Sequence, residues 1–259
     1  MNADTTPVCS ERCGPVLVIT LDRSQARNAV DGAVAAGLER AVDLLEADTD
    51  LRAGVLAATG PVFCAGADLA AVAAGRFDEL LTERGGFAGF VRRDRTKPVV
   101  AALDGDALAG GMEIAITCDL IVAAEGVRLG IPETARSLLA VGGALANLPR
   151  LIGEKAALEM ALTAKPWSAE HLAQLGLISR IVARGTARDE ALSLATEIAR
   201  NAPLAVQATR RAVVNTRDLN EGDRWKFAQQ ELDALRASRD YQEGLDAFLE
   251  KRAPHWTGP

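Results

Sequence analysis

What most constrains this chain is a change of rhythm near Gly143. Before it, short apolar runs at 16–21, 53–58, 98–103 and 120–123 stand between helix-patterned or turn-rich segments. Residues 32–48 form the clearest helix, because Val34, Leu38, Ala41, Val42 and Leu45 recur at helical spacing. The alanine-rich stretch 69–74 reads as another helix. Strands separated by helices pair in parallel, so the first half predicts an α/β core. After Gly143 the pattern is almost wholly helical, over 154–163, 168–175, 188–200, 203–215, 221–237 and 241–250, with one short strand at 178–182. Ser168 is a sound N-cap with Glu170 in the first turn. Asn201-Ala202-Pro203 breaks the helical series, with proline at the next first turn. Residues 1–200 are therefore expected to form the core, and 201–259 a C-terminal helical region.

A chain of 259 residues and 27.2 kDa suits one large domain, or a domain with an accessory piece. Apolar residues make up 49% of it, enough for a sizeable core. No apolar run approaches the ~20 residues that span a bilayer. Residues 1–10 show no basic segment followed by an apolar stretch, so no secretory leader is expected and a cytoplasmic protein is. The net charge of -6 argues against a nucleic-acid surface, which needs a basic excess. It leaves room for an anionic small ligand held by a few local Arg or Lys residues. Cys9, Cys13, Cys64 and Cys118 form no zinc-ligand grouping beyond the first pair, and the only histidines, His171 and His255, are remote from it. Free thiols and no metal site are the expectation.

Two acids stand out. Glu113 lies in LDGDALAGGMEIAITCDL (103–120), the only ionisable residue between Asp106 and Asp119, where a helix-like run starts near Gly110. Glu133 lies in LGIPET (129–134), directly after Pro132. A carboxylate in apolar company is costly to ionise unless it is paired, and two that converge can divide acid and base work. Taken singly, Glu113 is equally a first-turn acid stabilised by the helix dipole, and Glu133 a partner for Arg128 or Arg136. The segment FCAGADL (63–69) follows a strand and opens a helix; alone, it is a tight turn that packs one against the other. Rival chemistries find no footing. No G-x-G-x-x-G opens a helix after a strand, no G-x-x-x-x-G-K-[ST] or G-x-S-x-G is present, and neither histidine has a nucleophile beside it.

Taken in order, ARNAV (26–30), FCAGADL, the 103–120 block, LGIPE (129–133), AALEMALTAKPWSAEHLAQLGLISRIV (156–182) and EGLDAFLEKR (243–252) resemble the enoyl-CoA hydratase/isomerase (crotonase) superfamily. They keep that family's order and spacing over nearly the whole chain. The resemblance implies an α/β fold, a crotonase-like spiral of ββα turns. Its C-terminal helices would complete the active site and build a trimer, often stacked as a dimer of trimers. It implies acyl thioesters of coenzyme A as ligands. No metal or redox cofactor would be needed, since coenzyme A arrives as part of the substrate.

By that resemblance the backbone amides of Ala67 and Gly110 would hold the thioester oxygen. Charge builds there as an enolate forms, and losing one such donor typically costs roughly a hundred- to a thousandfold in rate. Glu113 would activate the water that attacks the β-carbon, and Glu133 would exchange the proton at the α-carbon. Members with other activities often lack one glutamate. Keeping both implies an enoyl-CoA hydratase, adding water reversibly to a trans-2-enoyl-CoA as in fatty acid β-oxidation. An enoyl-CoA isomerase, another acyl-CoA lyase of the family and a non-catalytic acyl-CoA-binding member are the alternatives. Ala65, Asp68 and Leu69 fall where the family lines the coenzyme A channel, and Arg27 is placed to meet the phosphates. Phe248 resembles a wall of the acyl pocket, and Lys251 a residue that reaches a neighbouring subunit's ligand. The chain departs from the pattern in three places. Ala109 replaces the first glycine of a usual triple, Ala70 a common lysine, and Ala140-Val141 a proline-glycine step before Gly142-Gly143. The polar, glycine-containing stretch 77–95 fits no generic member and is expected to cover the acyl end.

Overall fold

In the computed structural model, which describes residues 6–258, the apolar runs become strands buried on both faces, as parallel sheets require. Residues 1–5, half of the stretch read above for a leader, and residue 259 lie outside the described residues. The chain opens with β1 (Val8–Cys13), β2 (Val16–Leu21), α1 (Gly32–Ala47), β3 (Ala53–Ala58), β4 (Val62–Cys64) and α2 (Leu69–Ala73). A hairpin of β5 (Leu81–Thr82) and β6 (Gly86–Phe87) leads to β7 (Val99–Leu103), β8 (Asp106–Leu108), α3 (Gly110–Thr117), β9 (Leu120–Ala124) and β10 (Arg128–Gly130). There follow α4 (Ala144–Ile152), α5 (Glu154–Thr163), β11 (Trp167–Ser168), α6 (Ala169–Gln174), β12 (Arg180–Val182) and α7 (Ala187–Ala199). Helices α8 (Pro203–Val214), α9 (Glu221–Arg236) and α10 (Arg239–Glu250) complete the series.

The largest sheet has the order β1-β2-β3-β7-β9-β12 and a smaller one β11-β10-β8-β4, while β5 and β6 pair by themselves. All pairs of the larger sheet are parallel except β1 with β2. Three successive units run β3-β4-α2, β7-β8-α3, and β9-β10 followed by the 3-10 turn Pro132–Arg136. Each sends its first strand to the large sheet and its second to the small one. This is the spiral of ββα turns.

Helix α1 covers one face of the large sheet with Val34, Leu38, Val42 and Leu45, all fully buried. Each such side chain contributes about 1.5–3 kcal/mol. Asp31 starts the helix by accepting the Val34 N–H at 2.9 Å, a cap whose loss typically costs about 1 kcal/mol. Helix α7 covers the other face, packing Ala187, Ala191 and Ala195 against Val16, Val55, Val100 and Val122. Arg210 of α8 ties the C-terminal helices to this core through Asp119 at 2.8 Å. Beyond it, α9 buries none of its side chains and α10 buries only Asp240 and Ala247.

Three findings lie beyond the sequence pattern. Strand β1 pairs with β2 although only Val8 of it is buried. The strands of the small sheet are two or three residues long, too short to show a period. Residues 144–152 form α4 despite Pro149 inside the helix. Among the described residues, no helix is long and apolar enough to cross a membrane.

Candidate active site

The small sheet sets the geometry of the site. Strands β4, β8 and β10 are parallel neighbours, with Cys64 opposite Ala107 and Ala107 opposite Leu129. Their C-terminal ends therefore lie side by side, and so do the turns that follow them. Ala67, Gly110 and Glu133 occupy similar places in three successive turns. All three line one cavity of about 650 Å³, and Glu113 lines it too.

The first two turns are in contact. A Cβ built on Gly66 would stand 2.7 Å from the Ala109 Cβ and 2.9 Å from the Gly110 nitrogen. Gly66 also has φ 92°, so a side chain is excluded by both space and backbone. Val30 donates to the Gly66 carbonyl at 2.8 Å and accepts the Asp68 N–H at 2.9 Å. That pairing leaves the Ala67 N–H free, and no described group accepts from it. Gly110 is the first residue of α3, where the N–H has no partner within the helix. Two amides with no described acceptor thus lie on touching turns that line the cavity. Ala109, between the sheet and α3, is held at φ 53° and ψ -129°. An alanine at positive φ is strained by about 1–3 kcal/mol.

Glu113 sits in the first turn of α3 and is 4% exposed. It turns towards α4: its Oε1 accepts the Ala144 N–H at 3.1 Å. Its pKa is raised to about 7, chiefly by burial and also by nearby Glu133, against the pull of the Ala144 and Gly142 amides. A Cβ on Gly142 would stand 2.9 Å from the Glu113 Cδ and closer still to Oε2, so the carboxylate occupies space that only glycine leaves. Glu133 is raised as well, chiefly by burial, against its own backbone N–H and the Arg136 charge. Its Oε2 is buried and has no described partner. The ion-pair account of Glu133 fails for Arg128, which binds Asp106 at 2.6 Å. Two acids whose pKa is raised, beside two amides with no described acceptor, can move protons around a carbonyl compound whose oxygen gains charge.

Comparisons with known proteins bear on the family and the fold. A profile of the family described as "Enoyl-CoA hydratase/isomerase" matches residues 11–259. The chain belongs to the enoyl-CoA hydratase/isomerase family. The crystal structure of an enoyl-CoA hydratase from Mycobacterium tuberculosis H37Rv is 42% identical and superposes with a TM-score of 0.94, over 98% of this chain and 100% of that one. Mevalonyl-coenzyme A hydratase SIDH of Beauveria bassiana is 38% identical over 93% of this chain and 91% of the relative. Enoyl-CoA hydratase EchA19 of Mycobacterium tuberculosis is 36% identical over 95% of this chain and 94% of the relative. These relatives support a hydratase of the crotonase type.

The other residues expected from the family fall into two groups. Arg27, Ala65 and Leu69 line the cavity. Asp68 does not: its carboxylate caps α2 by accepting from Ala70 and Ala71, and it pairs with Arg23 at 2.8 Å. Its position one residue before an alanine-rich helix was the available sign of that role. Phe248 and Lys251, at the end of α10, are exposed and lie outside the cavity lining. The stretch 77–95 does line it, through Phe77, Leu81, Phe87 and Val91 among others. Sequence reasoning missed what Gly142 does for Glu113. The paired glycines were visible, but their closeness to α3 was not.

Proposed function

We propose that the protein is an enoyl-CoA hydratase acting on trans-2-enoyl thioesters of coenzyme A. One observation carries this reading: Glu113 and Glu133, both with raised pKa, share a cavity with the unpaired amides of Ala67 and Gly110. The thioester oxygen accepts from the two amides, and a water lies against the two carboxyl groups. Ionised Glu113 takes a proton from the water as its oxygen bonds to the β-carbon, and the π electrons move onto the thioester oxygen. Protonated Glu133 then gives its proton to the α-carbon as the carbonyl reforms. Glu113 ends protonated and Glu133 ionised, so one proton must pass between them before the next turnover. Their mutual influence suits that transfer. The net change is addition of water, so the balance calls for no redox cofactor.

Arg27, Ala65 and Leu69 would hold the coenzyme A portion along the cavity wall. Phe248 is 82% exposed and Leu249 76% exposed, and α9 buries nothing. We take these C-terminal helices to be the contact between subunits of a trimer, in which Phe248 and Lys251 would complete a neighbour's site. Light scattering on the purified chain tests that assembly.

The reaction is tested by loss of the enoyl-thioester absorbance with 2-enoyl-CoAs of several chain lengths. Glu113→Gln and Glu133→Gln should each lower kcat by about a hundredfold or more with binding largely kept. Near-normal turnover in either variant would overturn the roles. No absorbance loss with any substrate would overturn the hydratase reading itself.

A further inference from the structure

We propose that the acyl group this protein selects is an extended, apolar one, reaching well beyond the reacting carbons. The inference rests on reading the cavity as the thioester site. At 77–81 and 138–141 the chain places large apolar side chains in water: Phe77 is 40% exposed, Leu81 40%, Leu138 46%, Leu139 62% and Val141 62%. All five line the cavity that holds Glu113 and Glu133. An exposed leucine on its own means little, but five large apolar residues lining one cavity form an apolar wall that none of the described residues covers. A short acyl group would end near the carboxylates and leave this wall wet. A long one covers it.

The wall belongs to irregular chain. Residues 138–140 follow Ser137 at φ 57° and lie outside helix and strand, and residues 77–82 are a 3-10 turn and a two-residue strand. Such segments shift more easily than the core sheets, so they can close around chains of different length. Glu83 and Arg92 also line this end. Both are exposed, and the Arg92 stem lies within 3.0 Å of a Cβ built on Gly86. Their charges can therefore stay in water while their stems extend the apolar wall.

The experiment is calorimetric binding of butanoyl-, hexanoyl- and decanoyl-CoA to the full-length chain. These saturated thioesters cannot be hydrated, so binding is read without turnover. Each methylene covered is worth up to about fourfold, and we expect the Kd to tighten at least about tenfold from butanoyl to decanoyl. Leu139→Asp should then reduce the ratio of the two Kd values severalfold, because the new carboxylate must be desolvated by the long chain alone. An unchanged or weakening series would overturn the proposal. So would tighter binding of 3-hydroxybutanoyl- or succinyl-CoA than of decanoyl-CoA. If enoyl thioesters are not turned over while the binding series holds, the hydratase reading falls and this one stands.

Discussion

Gly142→Ala should cripple catalysis while leaving the fold and the substrate's grip nearly intact. Gly142 does not have positive φ, so its backbone accepts alanine and only the new methyl matters. That methyl would stand 2.9 Å from the Glu113 Cδ and closer still to Oε2. Carbon atoms rest at about 3.5–4.0 Å, so the carboxylate must retreat by about 1 Å. In retreating it leaves the Ala144 N–H that now reaches Oε1 at 3.1 Å. A misplacement of about 1 Å can cost a hundredfold in rate, or about 2.7 kcal/mol. The expected result in the enoyl-thioester absorbance assay is therefore a kcat about a hundredfold lower, with KM within about threefold. The pH profile gives a second reading. In the proposed mechanism Glu113 works ionised, so the rate of the parent protein should rise with pH through about 7. The amides of Ala144 and Gly142 favour the ionised form, and weakening them moves that limb to higher pH. Turnover within threefold of the parent, with an unmoved limb, would refute the claim that Glu113 acts from this place.

Two further outcomes follow from the same site. Burial holds the Glu113 pKa at about 7 rather than its usual 4.5, so across that window the folded state keeps a proton that the unfolded chain releases. Stability therefore falls as pH rises from about 4.5 to 7, by up to about 3 kcal/mol. Glu113→Gln should melt several degrees above the parent at pH 8 and level with it below pH 4.5; equal melting at both would show that the buried charge costs nothing. Ala109→Gly relieves a positive φ of 53° but loosens the unfolded chain. A net gain of about 1 kcal/mol is expected in urea unfolding, with kcat within about twofold, and a loss of that size would remove the strain argument.

Long amphipathic segments were legible because many residues vote for one period. The pattern at 32–48 became α1, Gly32–Ala47, and that at 154–163 became α5 with the same ends. The small sheet was illegible because its strands are too short to alternate, although it is the element that gathers the site. Glu113 could be picked out by its apolar neighbours. That Glu133 shares its cavity depends on β10 lying beside β8, which no local pattern encodes. The convergence of Ala67 and Gly110 was likewise implied only by the family's order of motifs. Asp68 shows the opposite error: a residue in a functional segment whose carboxylate is spent on a helix cap and on Arg23.

The same repeat that builds the fold also divides the chemistry. Because each ββα turn delivers its second strand to the small sheet, the first two turns bring two backbone amides together whatever side chains they carry, provided those are small. On the proposed mechanism, backbone alone thus supplies the site for a charged oxygen. On the same mechanism the choice of reaction then rests on two side chains, Glu113 on α3 and Glu133 on the third turn. On the acyl-chain proposal, the choice of acyl group rests on segments outside the repeat, at 77–81 and 138–141. Each site feature costs stability: a strained Ala109, a buried acid at Glu113 and an unpartnered oxygen on Glu133. They sit beside the best-buried part of the fold: β8 and β9 flank α3 in the chain, and β9 and its sheet neighbour β7 are buried almost throughout. Changes at the exposed wall residues, such as Leu139 and Val141, should therefore redirect specificity at little cost to folding, whereas changes at α3 should trade stability against rate.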